Sequence, residues 1–199
     1  MTAPRRLVLA SASPRRRQLL ASIGLTFDVS PADVDETEFP GEPPTAYVER
    51  IAAMKARAVV SRTHGPELEH EVVLAADTTV DVDGEILAKP LDDDDARRML
   101  RRLSGRTHRV HTTVFGWSVD GEHTVTVTTN VTFARLGAHD IEWYLTMGEH
   151  LDKAGSYGMQ GAGGALVQRI DGSPSNVIGL PLAETIGVLR ACGVAVTGG

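Results

Sequence analysis

A chain of 199 residues with 42% hydrophobic content can bury a sizeable core, and it reads as one domain over 1–199. Its net charge of −6 and 5% aromatic content exclude a general nucleic-acid binder, and its one cysteine, Cys192, excludes an internal disulfide framework. No run approaches membrane-spanning length and no signal-peptide core opens the chain, so a soluble cytoplasmic protein with no membrane partner is expected. Positive charge gathers at 15–17 and 97–106, which suits a small anionic ligand on an acidic protein.

Residues 5–10 read as a strand buried on both faces, running into Ser11-Ala12-Ser13-Pro14-Arg15-Arg16-Arg17. Ser13 suits a helix N-cap and Pro14 the first helical position, where a missing N–H has no intrahelical partner to lose. The helix then runs to Ile23 and stops at Gly24. Three arginines at a helix start oppose its dipole unless an anion binds there; a solvated basic face is the plainer reading. After a short strand at 27–30, an acidic loop at 31–43 carries Asp33, Asp35, Glu36 and Glu38. Residues 45–63 form a long helix with Val48, Ile51, Ala52, Lys55 and Val59 on one side. Lys55 thus lies on the apolar stripe, with its stem snorkelling to solvent or its amine aimed into a cleft.

The run Val72-Val73-Leu74-Ala75-Ala76 is a buried strand ending at Asp77 and Thr78. Asp83-Gly84 signals a hairpin whose simplest register sets Thr78 opposite Lys89; a bulge would set Asp77 there. Residues 92–103 begin with four aspartates and continue with four arginines, an order that matches the helix dipole better than a metal cluster. A second hairpin follows, 107–119 and 122–136, about Asp120-Gly121. Then come a helix at 138–147, a glycine-rich loop at 151–165 with a strand to 171, a loop at 173–179 and a last helix at 181–192. Cys192 falls in that helix as a buried, inert thiol.

Asp77 carries the sharpest chemistry, because open α/β sheets place ligands beyond the carboxyl ends of their strands. A carboxylate there holds a divalent metal or takes a proton from water, or it is a structural ion pair. Glu36 supplies a second carboxylate for Mg²⁺ or Mn²⁺. Lys55 and Lys89, with Arg15 and Arg16, make a set of cations suited to a triphosphate. Gln160 presents a donor and an acceptor that match the edge of uracil or thymine, unless its loop is merely a surface turn. His108 and His111 are three apart on a strand and face opposite ways, a poor metal pair.

Ser11-Ala-Ser13-Pro14-Arg15-Arg16, Asp35-Glu36, Ala52-Ala-Met-Lys55-Ala56, Ala76-Asp77-Thr78, Lys89-Pro90, Leu103-Ser-Gly-Arg-Thr-His108, Asp152-Lys-Ala-Gly155, Gln160-Gly161 and Asn176-Val-Ile-Gly-Leu-Pro181 occur in that order. In this combination the chain resembles the Maf family of nucleoside triphosphate pyrophosphatases, from about residue 7 to 189. The resemblance implies an α/β fold: an elongated, curved mixed sheet with flanking helices, two lobes and a central nucleotide cleft. It implies divalent-metal hydrolysis of a nucleoside triphosphate to monophosphate and pyrophosphate, and a homodimer. By position, Asp77 would be the proton acceptor. Arg15, Thr78 and Gln160 would set specificity, and Ser11, Arg16, Glu36, Lys55 and Lys89 would line the site. The Arg15, Thr78, Gln160 set resembles the branch acting on dTTP and UTP. A pyrophosphatase for 7-methyl-GTP and a nucleotide-binding regulator of cell division stay open beside it. Thr113 stands where the family often has glycine, and Pro174 where it often has an aromatic, bearing on strand stiffness and on the loop near Asn176.

Overall fold

The computed structural model describes residues 5–196. The elements are β1 (Arg6–Leu9), α1 (Pro14–Ser22), β2 (Asp28–Val29), α2 (Pro44–Val60), β3 (Glu71–Val82), β4 (Glu85–Leu87), α3 (Asp93–Leu103), β5 (Thr107–Ser118), β6 (Gly121–Phe133), α4 (Ala138–Thr146), β7 (Val167–Asp171), α5 (Pro174–Ile178) and α6 (Leu182–Ala191). Short 3-10 turns lie at Gly65–His70, Ala154–Ser156 and Ala162–Leu166. The strands form one seven-stranded sheet in the order β2-β1-β3-β5-β6-β7, with β4 also paired to β3. β1 runs parallel to β2 and β3, whereas β4 on β3 and β7 on β6 are antiparallel. This is the mixed α/β class expected from the sequence. Among the described residues no helix is long and apolar enough to cross a membrane.

The chain divides into two compact units. The first holds the residues up to Asp77, Thr112–Val127 and those from Gly179 onward. Here the alternation of strand side chains feeds two cores. Leu7 and Leu9 of β1 and Val72, Leu74 and Ala76 of β3 pack with Leu20 of α1 and Val188, Leu189 and Cys192 of the α6 end. The intervening Val8, Val73 and Ala75 pack with Ala52, Ala56 and Val59 of α2. A Cβ on Gly116 of β5 would lie 2.5 Å from Val188 and 2.8 Å from Cys192 Sγ, so only glycine lets this stretch sit under α6. Cys192 is buried, as expected, and burial pushes its thiol pKa up.

The second unit holds Thr78–His111 and Thr128–Ile178. Ala96, Met99, Leu100 and Leu103 of α3 and Ile141, Tyr144 and Leu145 of α4 pack on Val80, Val82, Val110, Val131 and Phe133 of the strands. Asp92 caps α3 by accepting the Asp95 N–H at 2.8 Å. The acidic start of this helix is therefore a cap, as its charge order indicated.

Two sequence expectations change in this unit, and the hairpin register holds. Four of the five arginines of 97–106 are not open to an anion, because acids from neighbouring turns and elements take them up. Arg97 pairs with Glu142 (2.6 Å) and Asp94 (2.7 Å), Arg98 with Asp95 (2.7 Å), Arg102 with Glu85 (2.6 Å) and Arg106 with Asp83 (2.6 Å). The hairpin does pair Val82 with Glu85, but its ladder stops at Val80 with Leu87. The observed register is the simplest one read from the sequence, and the ladder ends two residues short of Thr78 and Lys89. The Ala88 carbonyl accepts the Gly155 N–H instead, at 3.1 Å, and Pro90 has no N–H to continue a ladder. Finally, 173–179 is not all loop. Pro174 opens the short helix α5, and the Ser173 hydroxyl accepts the Asn176 N–H at 3.3 Å, a Ser-Pro start like that of α1.

Candidate active site

In the first unit, β1 ends at Leu9, and the Ala10 N–H still reaches Leu74 O of β3 at 2.8 Å. The chain then turns through Ser11, which is buried, into α1. Ser13 accepts the Arg16 N–H at 3.5 Å and Pro14 holds the first helical position, as the sequence indicated. Arg16 folds back over this turn. Its Nε donates to Gly179 O at 2.8 Å and its Nη1 to Ser11 Oγ at 3.2 Å. Burial lowers the Arg16 pKa, against the field of Asp77 and with that of Arg15.

Asp77 lies at the far end of the apolar run of β3 with 6% of its surface exposed. Lys55 of α2 is 8% exposed, so its amine points inward rather than snorkelling out. Its Nζ donates to Asp77 Oδ1 at 2.7 Å and lies 2.6 Å from Glu36 Oε1. One ammonium thus bridges two carboxylates. Burial raises the Asp77 pKa above the ordinary carboxylate value of 3.8, opposed by the charges of Lys55 and Arg16 and by the Lys55 hydrogen bond, and reinforced by Glu36. A carboxylate shifted upward in this way is a better proton acceptor near neutral pH.

Sequence reasoning missed how Glu36 is held. Tyr47 donates its hydroxyl to the Glu36 carbonyl at 3.1 Å. Arg50, one turn along α2, grips Glu42 with two bonds of 2.7 and 2.6 Å and donates to Thr37 O at 3.0 Å. Its guanidinium also stacks 4.0 Å from the centre of the Phe39 ring. Asp35 Oδ1 accepts from the Thr37 N–H at 2.9 Å and from its hydroxyl at 2.6 Å, tightening the turn just beside Glu36. Burial raises the Tyr47 pKa, helped by the negative charges of Asp77 and Glu36. The available signal was the spacing of Tyr47 and Arg50 on α2, three residues apart and facing an acidic loop.

Glu36 and Asp77 fit a divalent cation. Mg²⁺ is commonly held by one or two carboxylates with water and phosphate oxygens completing the shell. Among the described residues no group of three or more His, Cys, Asp or Glu converges, so these two carboxylates would need such outside oxygens.

Thr78, Lys89 and Gln160 belong to the second unit. Thr78 is half-buried on β3, and Lys89 is exposed at a bend. Gln160 is the exposed tip of a loop that is built rather than loose. Tyr157 is buried, with its hydroxyl 2.7 Å from His108 Nε2, and the Gly158 N–H donates to the Tyr144 hydroxyl at 3.2 Å. Beyond Gln160, Glu149 accepts the Ala162 and Gly163 N–H groups at 3.1 and 3.3 Å. Gly161 has φ +84°, and a Cβ there would fall on the Glu149 carboxylate. His108 is burial-shifted down to about 4 and is therefore neutral at physiological pH. His111 bonds the Thr128 hydroxyl and Asp81 rather than sharing a partner with His108.

Residues 6–192 match a family described as Maf-like protein. The chain belongs to the Maf family. Among similar Maf proteins, one from Anaeromyxobacter dehalogenans (strain 2CP-C) is 56% identical over 192 residues, covering 94% of each chain, and is named dTTP/UTP pyrophosphatase. Proteins of the same name from Myxococcus xanthus (strain DK1622) and Hahella chejuensis (strain KCTC 2396) are 52% and 47% identical, covering 94% and 96% of this chain and 93% and 94% of their own. Among solved structures, the Staphylococcus aureus Ham1 protein is 18% identical, with a TM-score of 0.48 over 65% of this Maf chain and 72% of that chain.

Proposed function

We propose that this Maf protein hydrolyses nucleoside triphosphates, dTTP and UTP foremost, to the nucleoside monophosphate and pyrophosphate. The buried Lys55–Asp77 pair, joined by the half-buried Glu36, carries the reading, in a chain 47–56% identical to relatives named for that activity. Asp77, its basicity raised by burial, takes the proton of the water that attacks the α-phosphorus. Lys55 and Arg16 offset the charge that builds on the phosphoryl oxygens. Ser11 and Arg15 bind the phosphate tail, helped by the positive end of the α1 dipole. Lys89 neutralises the leaving pyrophosphate, and Thr78 and Gln160 read the pyrimidine, roles that rest on the family resemblance. A divalent metal, Mg²⁺ or Mn²⁺, held by Glu36 and Asp77, supplies Lewis-acid stabilisation of the same oxygens when bound. A cytoplasmic homodimer is the form in which we expect it to act; the dimer also rests on the resemblance.

A panel of canonical and modified nucleoside triphosphates, scored for pyrophosphate release with Mg²⁺ and with Mn²⁺, tests this reading. Pyrimidine triphosphates should turn over fastest. Preference for 7-methyl-GTP, or no pyrophosphate from any member, would overturn it.

A further inference from the structure

The cation that both candidate metal-binding carboxylates face is a side chain of the protein itself. Lys55 Nζ lies 2.7 Å from Asp77 Oδ1 and 2.6 Å from Glu36 Oε1. A dication drawing on those two oxygens would compete with the ammonium for them and be repelled by its charge. The charges that Asp77 feels are Lys55 and Arg16, both positive, and Glu36, negative; with Asp77 itself they sum to zero. Adding a bare dication leaves this group strongly positive, which is costly beside the buried Lys55 and Asp77. A dication that arrives with a polyanionic triphosphate brings its own compensation. Lysine suits such an exchange, because its ammonium is a point charge with rotatable donors on a flexible stem, whereas arginine is a rigid fork.

We infer that Lys55 is the resident counter-ion of the Glu36–Asp77 pair and is exchanged for the metal when the metal–nucleotide complex enters. Lys55 then turns its ammonium to the incoming phosphate oxygens. The free protein consequently holds divalent cations weakly. The inference rests on the pyrophosphatase reading for the identity of the polyanion, but not for the exchange itself.

The test is Mn²⁺ binding to the full chain without nucleotide, read by calorimetry or by the electron paramagnetic resonance of free Mn²⁺. Lys55→Met and Lys55→Gln should bind Mn²⁺ at least tenfold more tightly than the wild type, and Lys55→Arg should stay within about threefold of it. Removing Lys55 leaves the two carboxylates with one positive charge fewer, so the thermal midpoint of Lys55→Met should also rise on adding Mn²⁺ while that of the wild type barely moves. That second readout serves if Lys55→Met is too unstable for titration. Neither neutral variant gaining affinity would show a fixed ion pair and overturn the inference. So would Lys55→Arg gaining as much as Lys55→Met, since loosened geometry rather than a vacated charge would then admit the ion. Wild-type release of pyrophosphate from dTTP, measured in parallel, reports separately on the enzymatic reading. Its absence alongside an intact gain in Lys55→Met would sink that reading and leave the exchange standing.

Discussion

Each unit buries a polar cluster, and the two are built from opposite materials. In the first unit Lys55, Asp77 and Glu36 bring full charges together at 2.6–2.7 Å. In the second, His108 and Tyr157 share a hydrogen bond of 2.7 Å inside aromatic packing, with ring centroids 4.7 Å apart for Phe133–Tyr157 and 5.1 Å for His108–Phe133. Burial drives His108 to its neutral form and keeps the Tyr157 hydroxyl protonated. A neutral pair with edge-to-face rings is a good way to fix a loop, here the one bearing Gln160. A buried charged pair is a poor way to gain stability, since desolvation consumes most of the Coulomb attraction. Its presence at a strand's carboxyl end marks a place where charge is used rather than stored.

Substitutions should therefore separate turnover from stability along the same line. The largest effect belongs to Asp77→Asn, which keeps shape and removes the base. Turnover of dTTP with saturating metal should fall by about 10²–10⁴-fold. In the wild type the acid limb of the pH–rate profile should lie above the ordinary aspartate range, because burial raises the Asp77 pKa. A limb at or below that range would remove the distinction between this carboxylate and a surface one.

His108 should govern pH-dependent stability. Its pKa is about 4 in the fold against 6.5 for the free side chain. Between those values the unfolded chain binds a proton that the folded chain refuses, so stability present above pH 6.5 drains away as pH falls towards 4. The total is on the order of 3 kcal/mol, and the slope should be missing from His108→Asn in urea melts run across that window.

Arg50→Ala leaves the carboxylates in place but frees the loop that presents one of them. A drop of about 10–100-fold in turnover is expected, as for a misplaced catalytic group. The same substitution in a Glu36→Gln background should cost far less, since coupled residues are non-additive. Smallest is Tyr157→Phe, which strands a buried His108 nitrogen and should cost about 1–3 kcal/mol of stability. Its turnover change should appear mainly in KM for the nucleotide, through the loop that carries Gln160.

Where the deciding chemistry is local, the sequence was legible. Ser13 and Pro14 announce the start of α1 because an N-cap bond spans three residues, and Lys55 betrays itself by standing on an apolar stripe. The α5 start carried the same Ser-Pro signal and went unread inside an apparent loop. The acidic partners of Arg97, Arg102 and Arg106 on other elements lie 17 to 45 positions away, so a basic run looked available when it was already paired. Arg50 escaped notice for the same reason, since its role exists only once Glu42, Thr37 and Phe39 are folded against α2. The Asp83-Gly84 turn fixed the β3–β4 register correctly, but not where its ladder ends, because that depends on Gly155 from a distant loop bonding Ala88 O.

The central claim, water attack at the α-phosphorus aided by Asp77, is tested most directly by hydrolysing dTTP in ¹⁸O-enriched water and weighing both products. The expected result is one ¹⁸O in dTMP and none in pyrophosphate, with the rate collapsing in Asp77→Asn. Label in the pyrophosphate, or release of orthophosphate with dTDP, would contradict it.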